Sequence, residues 1–196
     1  MSPQSGMSAQ LSEVRGGDTP AIPFARPRVR PEKALQYELN VVADGVADVV
    51  SGIGGWLFDR AMAGWRVSVA VDEVGDERAL RILGLKAVGL SGLWRSAEAD
   101  AVVMTAIGTS RFESGDHGLT VRNPDGDVVF FGSRGPEGLG LEVQRARYRP
   151  SAAALAFKAY ALAVAGADPG AADRVETVFR CGRSAGLLDA DLVPVC

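Results

Sequence analysis

Apolar residues in the first third of the chain repeat with helical spacing. From Glu32 to Ala63 they recur at alternating steps of four and three, which aligns them on one face of a helix. The repeating positions are Leu35, Leu39, Val42, Val46, Val49, Ile53 and Trp56. Gly64 suits the end of such a helix, whereas each glycine inside it costs about 1 kcal/mol relative to alanine. The pattern predicts a long N-terminal helix that its glycines weaken or split near Gly52.

Shorter patterns follow this helix. Trp65–Val71 is an alternating run rich in β-branched residues, and it predicts a central strand. Asp76 is placed to cap a short helix that runs to Leu83. Lys86–Leu90 and Asp100–Ile107 predict two more strands, the second on the ground of its length.

The second half of the chain predicts a hairpin, a strand and two helices. The hairpin surrounds the turn at 123–126, whose sequence is Asn-Pro-Asp-Gly. The predicted strands are Leu119–Arg122, Asp127–Phe131 and Leu139–Arg149, and the predicted helices are Ser151–Ala165 and Ala171–Cys181. Residues 32–196 therefore predict a single α/β domain of mixed α+β type, with a central mixed or antiparallel sheet, a long N-terminal helix and two C-terminal helices.

Residues 1–31 differ in character from the rest of the chain. They are rich in Ser, Gly, Pro and Arg and show no periodicity, so they cannot bury enough apolar surface to offset their ordering entropy. We interpret them as a disordered tail that ends in the basic, proline-stiffened segment Arg26–Pro31. Its simplest role is a solvated linker; a nucleic-acid-touching arm and an extended ligand for a partner domain remain alternatives.

Composition indicates a globular protein rather than a fibrous or membrane-embedded one. The chain has 196 residues, of which 47% are hydrophobic and 23% charged, and its formal net charge is −3. Nucleic acid and anionic lipid therefore exert no strong overall attraction. Arginine greatly outnumbers lysine, which is typical of codon bias in a bacterial genome of high GC content and is not functional evidence.

Cysteine usage and the first residues indicate a cytoplasmic location. Cys181 and Cys196 lie near the end of the chain, unlike the cysteines of a disulfide-stapled secreted domain. We expect two free thiols, with a bridge that ties down the tail as the alternative. The first 24 residues lack the apolar stretch of a signal peptide, and no uncharged run is long enough to cross a bilayer. No membrane partner is expected.

The glycines near position 52 also permit a nucleotide-binding hypothesis. Val46–Val50 would be a strand, Gly52 and Gly54 the first two glycines of a phosphate loop, and Asp72 the acidic residue that binds a ribose hydroxyl. The third glycine should fall at position 57, which is Leu57. An interrupted helix explains the same residues without that defect.

Catalytic motifs are incomplete. His117, the one histidine, lies in a loop, and the serine motif at Ser91 has Leu93 where a nucleophile elbow needs its second glycine. Glu113, Asp116 and His117 could supply metal ligands from one loop, but no second ligand spacing supports them. We therefore expect no catalytic residues, no cofactor and no metal.

The strongest candidate binding residues are three arginines with period-two spacing. Arg145, Arg147 and Arg149 would share one face of a strand, with Tyr148 on the other. Clustered guanidinium groups repel one another unless they are solvated or paired with carboxylate or phosphate. The arginine stripe, as we call these three residues, is either a solvated strand edge or a site for an anion or an acidic partner.

These observations favour a binding or regulatory protein over an enzyme. We expect it to engage a protein partner or a small anionic ligand through the arginine stripe. The runner-up is a Rossmann-like nucleotide-binding enzyme that uses Gly52, Gly54 and Asp72, and a third reading is a weak nucleic-acid binder. The sequence does not determine a substrate, a partner or an oligomeric state.

Overall fold

The computed structural model describes residues 36–73, 76–93, 101–115, 127–137, 143–181 and 192–194. All of them belong to one unit, Leu35–Cys196. The predicted tail, the first strand of the predicted hairpin, His117 and Cys196 lie outside the described residues. Within the described residues, no helix has both the length and the apolarity that a bilayer crossing requires.

Eight strands form one mixed sheet, which confirms the predicted α/β class. They are β1 Gln36–Gly45, β2 Arg66–Glu73, β3 Lys86–Ala87, β4 Ala101–Gly108, β5 Asp127–Phe131, β6 Val143–Tyr148, β7 Glu176–Cys181 and β8 Val193–Pro194. Their order across the sheet is β3-β2-β1-β4-β5-β7-β6-β8. The pairs from β3 to β5 are parallel, and those from β5 to β8 are antiparallel.

Five α-helices are described. They are α1 Val46–Met62, α2 Glu77–Ile82, α3 Leu90–Leu93, α4 Thr109–Glu113 and α5 Ala152–Val164, and a 3-10 turn follows at Pro169–Ala171. Local chemistry explains two of the starts. The Asp76 carboxylate accepts a hydrogen bond from Arg78 N at α2, and the Ser151 hydroxyl accepts one from Ala154 N at α5.

Apolar side chains pack on both faces of the sheet. In β1, Val41 belongs to the larger cluster, which contains residues of α1, α2 and α5, whereas its neighbour Val42 belongs to a smaller cluster with residues of α3 and α4. In β5, Phe131 and Phe130 divide in the same way. Central strands are thus buried on both faces, as in most parallel sheets.

The prediction of one helix from Glu32 to Ala63 is wrong over its first part. Gln36–Gly45 is β1, and the helix begins only at Val46. The predicted split near Gly52 is correct, because Ile53 has non-helical dihedral angles (φ −139°, ψ 15°) and kinks α1.

The closing elements also differ from prediction. Ala171–Cys181 is not a second C-terminal helix: the 3-10 turn ends at Ala171, and Glu176–Cys181 is β7. Lys86–Leu90 forms a strand only over Lys86–Ala87. The described strand of the predicted hairpin, β5, pairs with β4 and β7.

Candidate functional site

A cleft of about 320 Å³ opens at the carboxyl ends of β1, β4 and β5. The chain places β2 and β3 on one side of β1 and then crosses to β4 on the other side. Ligand sites in open α/β sheets form at such a reversal, outside the carboxyl ends of the strands. The lining residues are Ala43, Asp44, Asp48, Ser51, Gly52, Gly108, Thr109, Ser110, Phe131, Gly132 and Ser133.

Two carboxylates belong to the cleft lining. Asp44 is the penultimate residue of β1 and is half-buried. Asp48 lies in the first turn of α1 and is exposed. Between them, Gly45 is the N-cap of α1 and supplies no side-chain hydrogen bond to the helix. The cleft lining therefore combines two carboxylates with residues from the first turns of α1.

Four hydroxyl side chains lie in the same lining, and two of them are held by backbone carbonyls. Ser51 Oγ donates to Ala47 O at 2.8 Å. Thr109 Oγ1 lies 3.2 Å from Phe131 O and 3.0 Å from Arg134 O, so its single proton joins α4 to the segment after β5. The hydroxyls of Ser110 and Ser133 belong to exposed residues at the rim.

The buried ring of Phe131 lies between two glycines of the lining. A Cβ on Gly52 would lie 2.9 Å from Phe131 Cδ2, and one on Gly108 would lie 3.6 Å from Phe131 Cζ. The next residue, Gly132, has φ +151°, a conformation that L side chains rarely adopt. Glycine is therefore required at position 52 by the ring and at position 132 by the backbone.

A buried ion pair supports the α1 wall of the cleft. Lys158 Nζ of α5 lies 2.6 Å from Glu176 Oε1 of β7, and both side chains are almost completely inaccessible to solvent. The same ammonium donates to Ser51 O at 2.7 Å. The carboxylate accepts from Gly55 N and Trp56 N, each at 2.8 Å.

These contacts explain the kink in α1. In a regular helix the Gly55 N–H would donate to Ser51 O, four residues earlier. Here Glu176 takes that donor and Lys158 takes that acceptor, so the ion pair occupies one opened hydrogen bond of the helix. Glu176 also accepts from Trp56 N, the donor that Gly52 O would have in a regular helix. The two N–H groups and Ser51 O are thus satisfied by the ion pair, and the Ser51 end of the helix segment is fixed against α5.

The ion pair carries a desolvation cost. Burial raises the pKa of the Glu176 carboxyl, and this effect exceeds the opposing influence of Lys158 and of the N–H groups of Trp56 and Gly55. Such a pair contributes less to net stability than its short distances suggest, but removal of either partner strands a buried polar group. Its structural consequence is a fixed geometry of α1.

The glycines of the nucleotide-binding hypothesis do not form a phosphate loop. Gly52 and Gly54 lie inside α1, where a Cβ on Gly54 would lie 3.3 Å from Leu83 Cδ1. Asp72 ends up in β2 and pairs with Arg111 of α4 at 3.0 Å. The glycines permit close packing inside a helix, so the predicted phosphate loop is not formed. Nucleotide binding by Gly52, Gly54 and Asp72 stays a prediction.

The arginine stripe lies on the antiparallel side of the sheet. Arg145 and Arg147 belong to β6, Arg149 follows it, and all three are exposed. β6 pairs along its length with β7 on one side. On its other side, Ala146 and Arg147 pair with the short β8, so this part of β6 is not an outer edge of the sheet. The cleft and the stripe are separate features, and anion binding by the stripe stays a prediction.

Two further findings concern the described residues. They contain no group of three or more histidine, cysteine or carboxylate side chains that could hold a metal ion. A second cavity, of about 240 Å³, lies at the carboxyl ends of β2 and β3. Its lining is mostly apolar: Val46, Val69, Val71, Glu77, Leu80, Ala87, Val88 and Gly89.

The sequence analysis did not identify Asp44, Asp48, Lys158 or Glu176. If the sequence analysis had predicted a strand that ends at Gly45, it would have placed Asp44 at the start of a strand-to-helix turn, where ligand sites form. Lys158 carried a weak signal, because it is the one charged residue of an otherwise uncharged helix, α5. Glu176 carried none, since its partners lie 18 and about 120 residues away.

Comparison with known proteins identifies a fold but no family. No protein-family model matches the chain, and no curated protein matches its sequence. The fold resembles the crystal structure of a deacetylase triple mutant involved in the teicoplanin biosynthetic pathway. The identity is 12%, the TM-score is 0.52, and the match covers 76% of this chain and 100% of the other. A deacetylase of the A40926 pseudoaglycone matches at 13% identity and a TM-score of 0.49, over 76% of this chain and 98% of the other.

The fold comparison corrects the expectation of a non-catalytic binding or regulatory protein. The chain has an architecture that a deacetylase uses, so the expectation that it is more a binder than an enzyme is wrong. The physical reason is that a parallel sheet gathers its site from the ends of strands far apart in sequence. The absence of a contiguous motif is therefore weak evidence against catalysis.

Proposed function

We propose that this chain is a hydrolase that removes a short acyl group, such as acetyl, from a polar carrier in the cleft at the ends of β1 and β4. The observation that carries the proposal is the position of Asp44 and Asp48 in the cleft at the reversal of the sheet. The fold shared with a deacetylase supports the same class of reaction. The low identity transfers no residue role, so each role is argued from this chain alone.

Asp44 is the proposed general base. A half-buried carboxylate at the end of a rigid central strand is held in place more firmly than an exposed one, and it can accept a proton from a water molecule in the cleft. Asp48 is exposed at the rim, so its role is to accept hydrogen bonds from the polar carrier.

Water is the proposed nucleophile. Ser51 and Thr109 donate their protons to backbone carbonyls, so neither hydroxyl is activated by a base. The water oxygen forms a bond to the acyl carbon while its proton passes to Asp44. The bond from carbon to the carrier nitrogen or oxygen then breaks, the carrier takes that proton, and the acid is released.

Charge that develops on the acyl oxygen needs hydrogen-bond donors. Gly45, the N-cap of α1, supplies no side-chain hydrogen bond to the helix, and Asp48 of the first turn belongs to the cleft lining, so the backbone N–H groups of this helix start are the proposed donors. Ser110 and Ser133 add hydroxyl donors at the rim. Donors that are already oriented toward an oxyanion are a major source of rate enhancement in acyl transfer.

The test is acetate release by the full chain from a panel of acetyl amides and acetyl esters of polar amines and alcohols. Proton NMR should show acetate and free carrier appearing in equal amounts. Ser110→Trp should abolish the activity, because the indole fills the mouth of the cleft. Ser114→Trp is the matched control: it changes an exposed serine at the other end of α4, outside the cleft lining.

Two results would overturn the proposal. One is the absence of acetate release from every amide and ester by folded wild-type protein. The other is release that Ser110→Trp and Ser114→Trp reduce equally, since the activity would then not depend on this cleft.

A further inference from the structure

The lining of the cleft contains one large apolar side chain, Phe131, among small and polar residues. The ring is almost completely buried, and it lies between Gly52 of α1 and Gly108 of β4. The first glycine belongs to α1, which follows the proposed general base in the chain. The second belongs to β4, which pairs with the strand that carries that base. The ring is thus the buried apolar part of the cleft lining.

Two features keep this ring in place. The carbonyl of Phe131 is within hydrogen-bond distance of Thr109 Oγ1, and Gly132 permits the turn that follows. On the α1 side, a Cβ at Gly52 would lie only 2.9 Å from the ring, so the ring packs closely against the helix backbone at this glycine. Packed interiors of this kind yield little to an added methylene group.

The polar groups of the cleft lie elsewhere in its lining. Asp48, Ser51, Ser110 and Ser133 are exposed and Asp44 is half-buried, whereas Phe131 is buried. Thr109 is buried too, but its hydroxyl is held by the carbonyls of Phe131 and Arg134. A bound acylated molecule would therefore place its polar carrier at the rim and its acyl tail toward the ring. The cleft volume, about 320 Å³, is at the lower end of the range for small-molecule sites.

We propose that Phe131 determines acyl-chain length, so that the substrates are acetyl and other very short acyl compounds of polar carriers. This inference rests on the proposed function, because it assigns the substrate class of the same cleft. Phe131 takes no part in the chemical step. It is a specificity-determining wall that a longer chain would have to displace.

The experiment measures kcat/KM of the full chain for p-nitrophenyl acetate, butyrate and octanoate. For the wild type, acetate should exceed octanoate by at least about tenfold, the discrimination that misfit of a few methylene groups produces. Phe131→Leu and Phe131→Met shorten or loosen the wall and should reduce that ratio by about tenfold. The ratio is independent of the fraction of folded protein, so a purely structural defect would leave it unchanged.

Phe130→Leu is the matched control. Phe130 precedes Phe131 in β5, is equally buried, and packs edge-to-face on Phe112 on the opposite face of the sheet. Its substitution should leave the acetate-to-octanoate ratio at the wild-type value.

The outcomes separate the two proposals. If the wild type hydrolyses the esters but the ratio is unchanged in both Phe131 variants, or changes equally in Phe130→Leu, the inference about chain length is overturned and the hydrolase stands. If the wild type hydrolyses none of the esters and none of the amides, both are overturned. If Phe131→Leu does not fold, the acetate-to-octanoate ratio of Phe131→Met decides whether Phe131 sets the chain length, because methionine is closer to phenylalanine in side-chain volume.

Discussion

Lys158 Nζ and Glu176 Oε1 lie 2.6 Å apart in the interior, and together they replace the helical hydrogen bond between Gly55 N and Ser51 O. Three elements that are distant in sequence, α1, α5 and β7, are tied at this point. The pair lies directly behind Ser51 and Gly52, which line the cleft. The geometry of that wall therefore depends on a charge pair that never touches the cleft contents.

Removing one partner of this pair should be strongly destabilising. Lys158→Met leaves the Glu176 carboxylate and Ser51 O without their cation, and Glu176→Gln leaves Lys158 buried beside a neutral amide. Each should lower the free energy of unfolding by about 3–5 kcal/mol in urea titrations. The control is Arg134→Met, which breaks the exposed contacts with Glu113 and Glu137 and should cost about 1 kcal/mol or less. Similar losses of unfolding free energy in all three variants would show that the buried pair contributes no more to stability than an exposed pair.

Gly55→Ala should also be destabilising, for a steric reason. The new Cβ would lie 2.7 Å from Pro150 Cγ and 3.0 Å from Glu176 Oε1, so the ion pair and the start of α5 must shift. We expect a loss of about 1–3 kcal/mol in thermal or urea denaturation. Gly89→Ala, where nothing lies within 4 Å of the new methyl group, should stay within about 0.5 kcal/mol of the wild type. A neutral Gly55→Ala would mean that α1 and α5 are less closely packed than described.

The N-cap of α2 should make stability depend on pH in the acid range. Hydrogen bonds from the Arg78 side chain and backbone lower the pKa of Asp76 from 3.8 to about 2. A lowered pKa in the folded state means that the stabilisation is present above pH 3.8 and is lost as the pH falls toward 2. Asp76→Asn keeps an N-cap acceptor but cannot ionise, so its Tm should lie below that of the wild type at pH 5 and converge with it near pH 2. A constant Tm difference over that range would contradict this assignment.

The arginine stripe makes a prediction independent of the cleft. Because Arg147 is exposed, Arg147→Glu should leave the free energy of unfolding within about 0.5 kcal/mol of the wild type. If the stripe binds an anionic partner, the same variant should weaken binding of a polyanion such as heparin, and wild-type binding should weaken with salt. Unfolding of the variant would instead show that the arginine is needed internally.

Local signals in the sequence predicted the elements that they control. The alternation in β2, the cap at Asp76 and the length of the apolar run in β4 each act within a few residues, and each element is present. A side chain that caps its own helix needs no knowledge of the rest of the fold.

β1 could not be identified in this way because it is buried on both faces. Leu39, Val41, Val42 and Ala43 are all inaccessible, so the strand lacks the alternation that marks a half-exposed one. Its apolar positions also continue in step with those of α1, which hides the boundary at Gly45. Without β1 the order of the strands is unknown, and the cleft at its end could not be predicted.

β7 was missed because its partners are distant. Residues Glu176–Cys181 become a strand by pairing with β5 and β6, about 30–50 residues earlier in the chain. Long-range pairing of this kind overrides weak local preference. Glu176 begins this strand, so it was not identified either.

The most direct test of the proposed function is the activity of Asp44→Asn beside Asp168→Asn. Asp44 lines the cleft, whereas Asp168 caps the 3-10 turn at Pro169–Ala171 and does not line it. If Asp44 is the general base, folded Asp44→Asn protein should release acetate about 10²–10⁴ times more slowly than the wild type. Asp168→Asn should retain the wild-type rate. A folded Asp44→Asn protein that releases acetate as fast as the wild type would contradict the account.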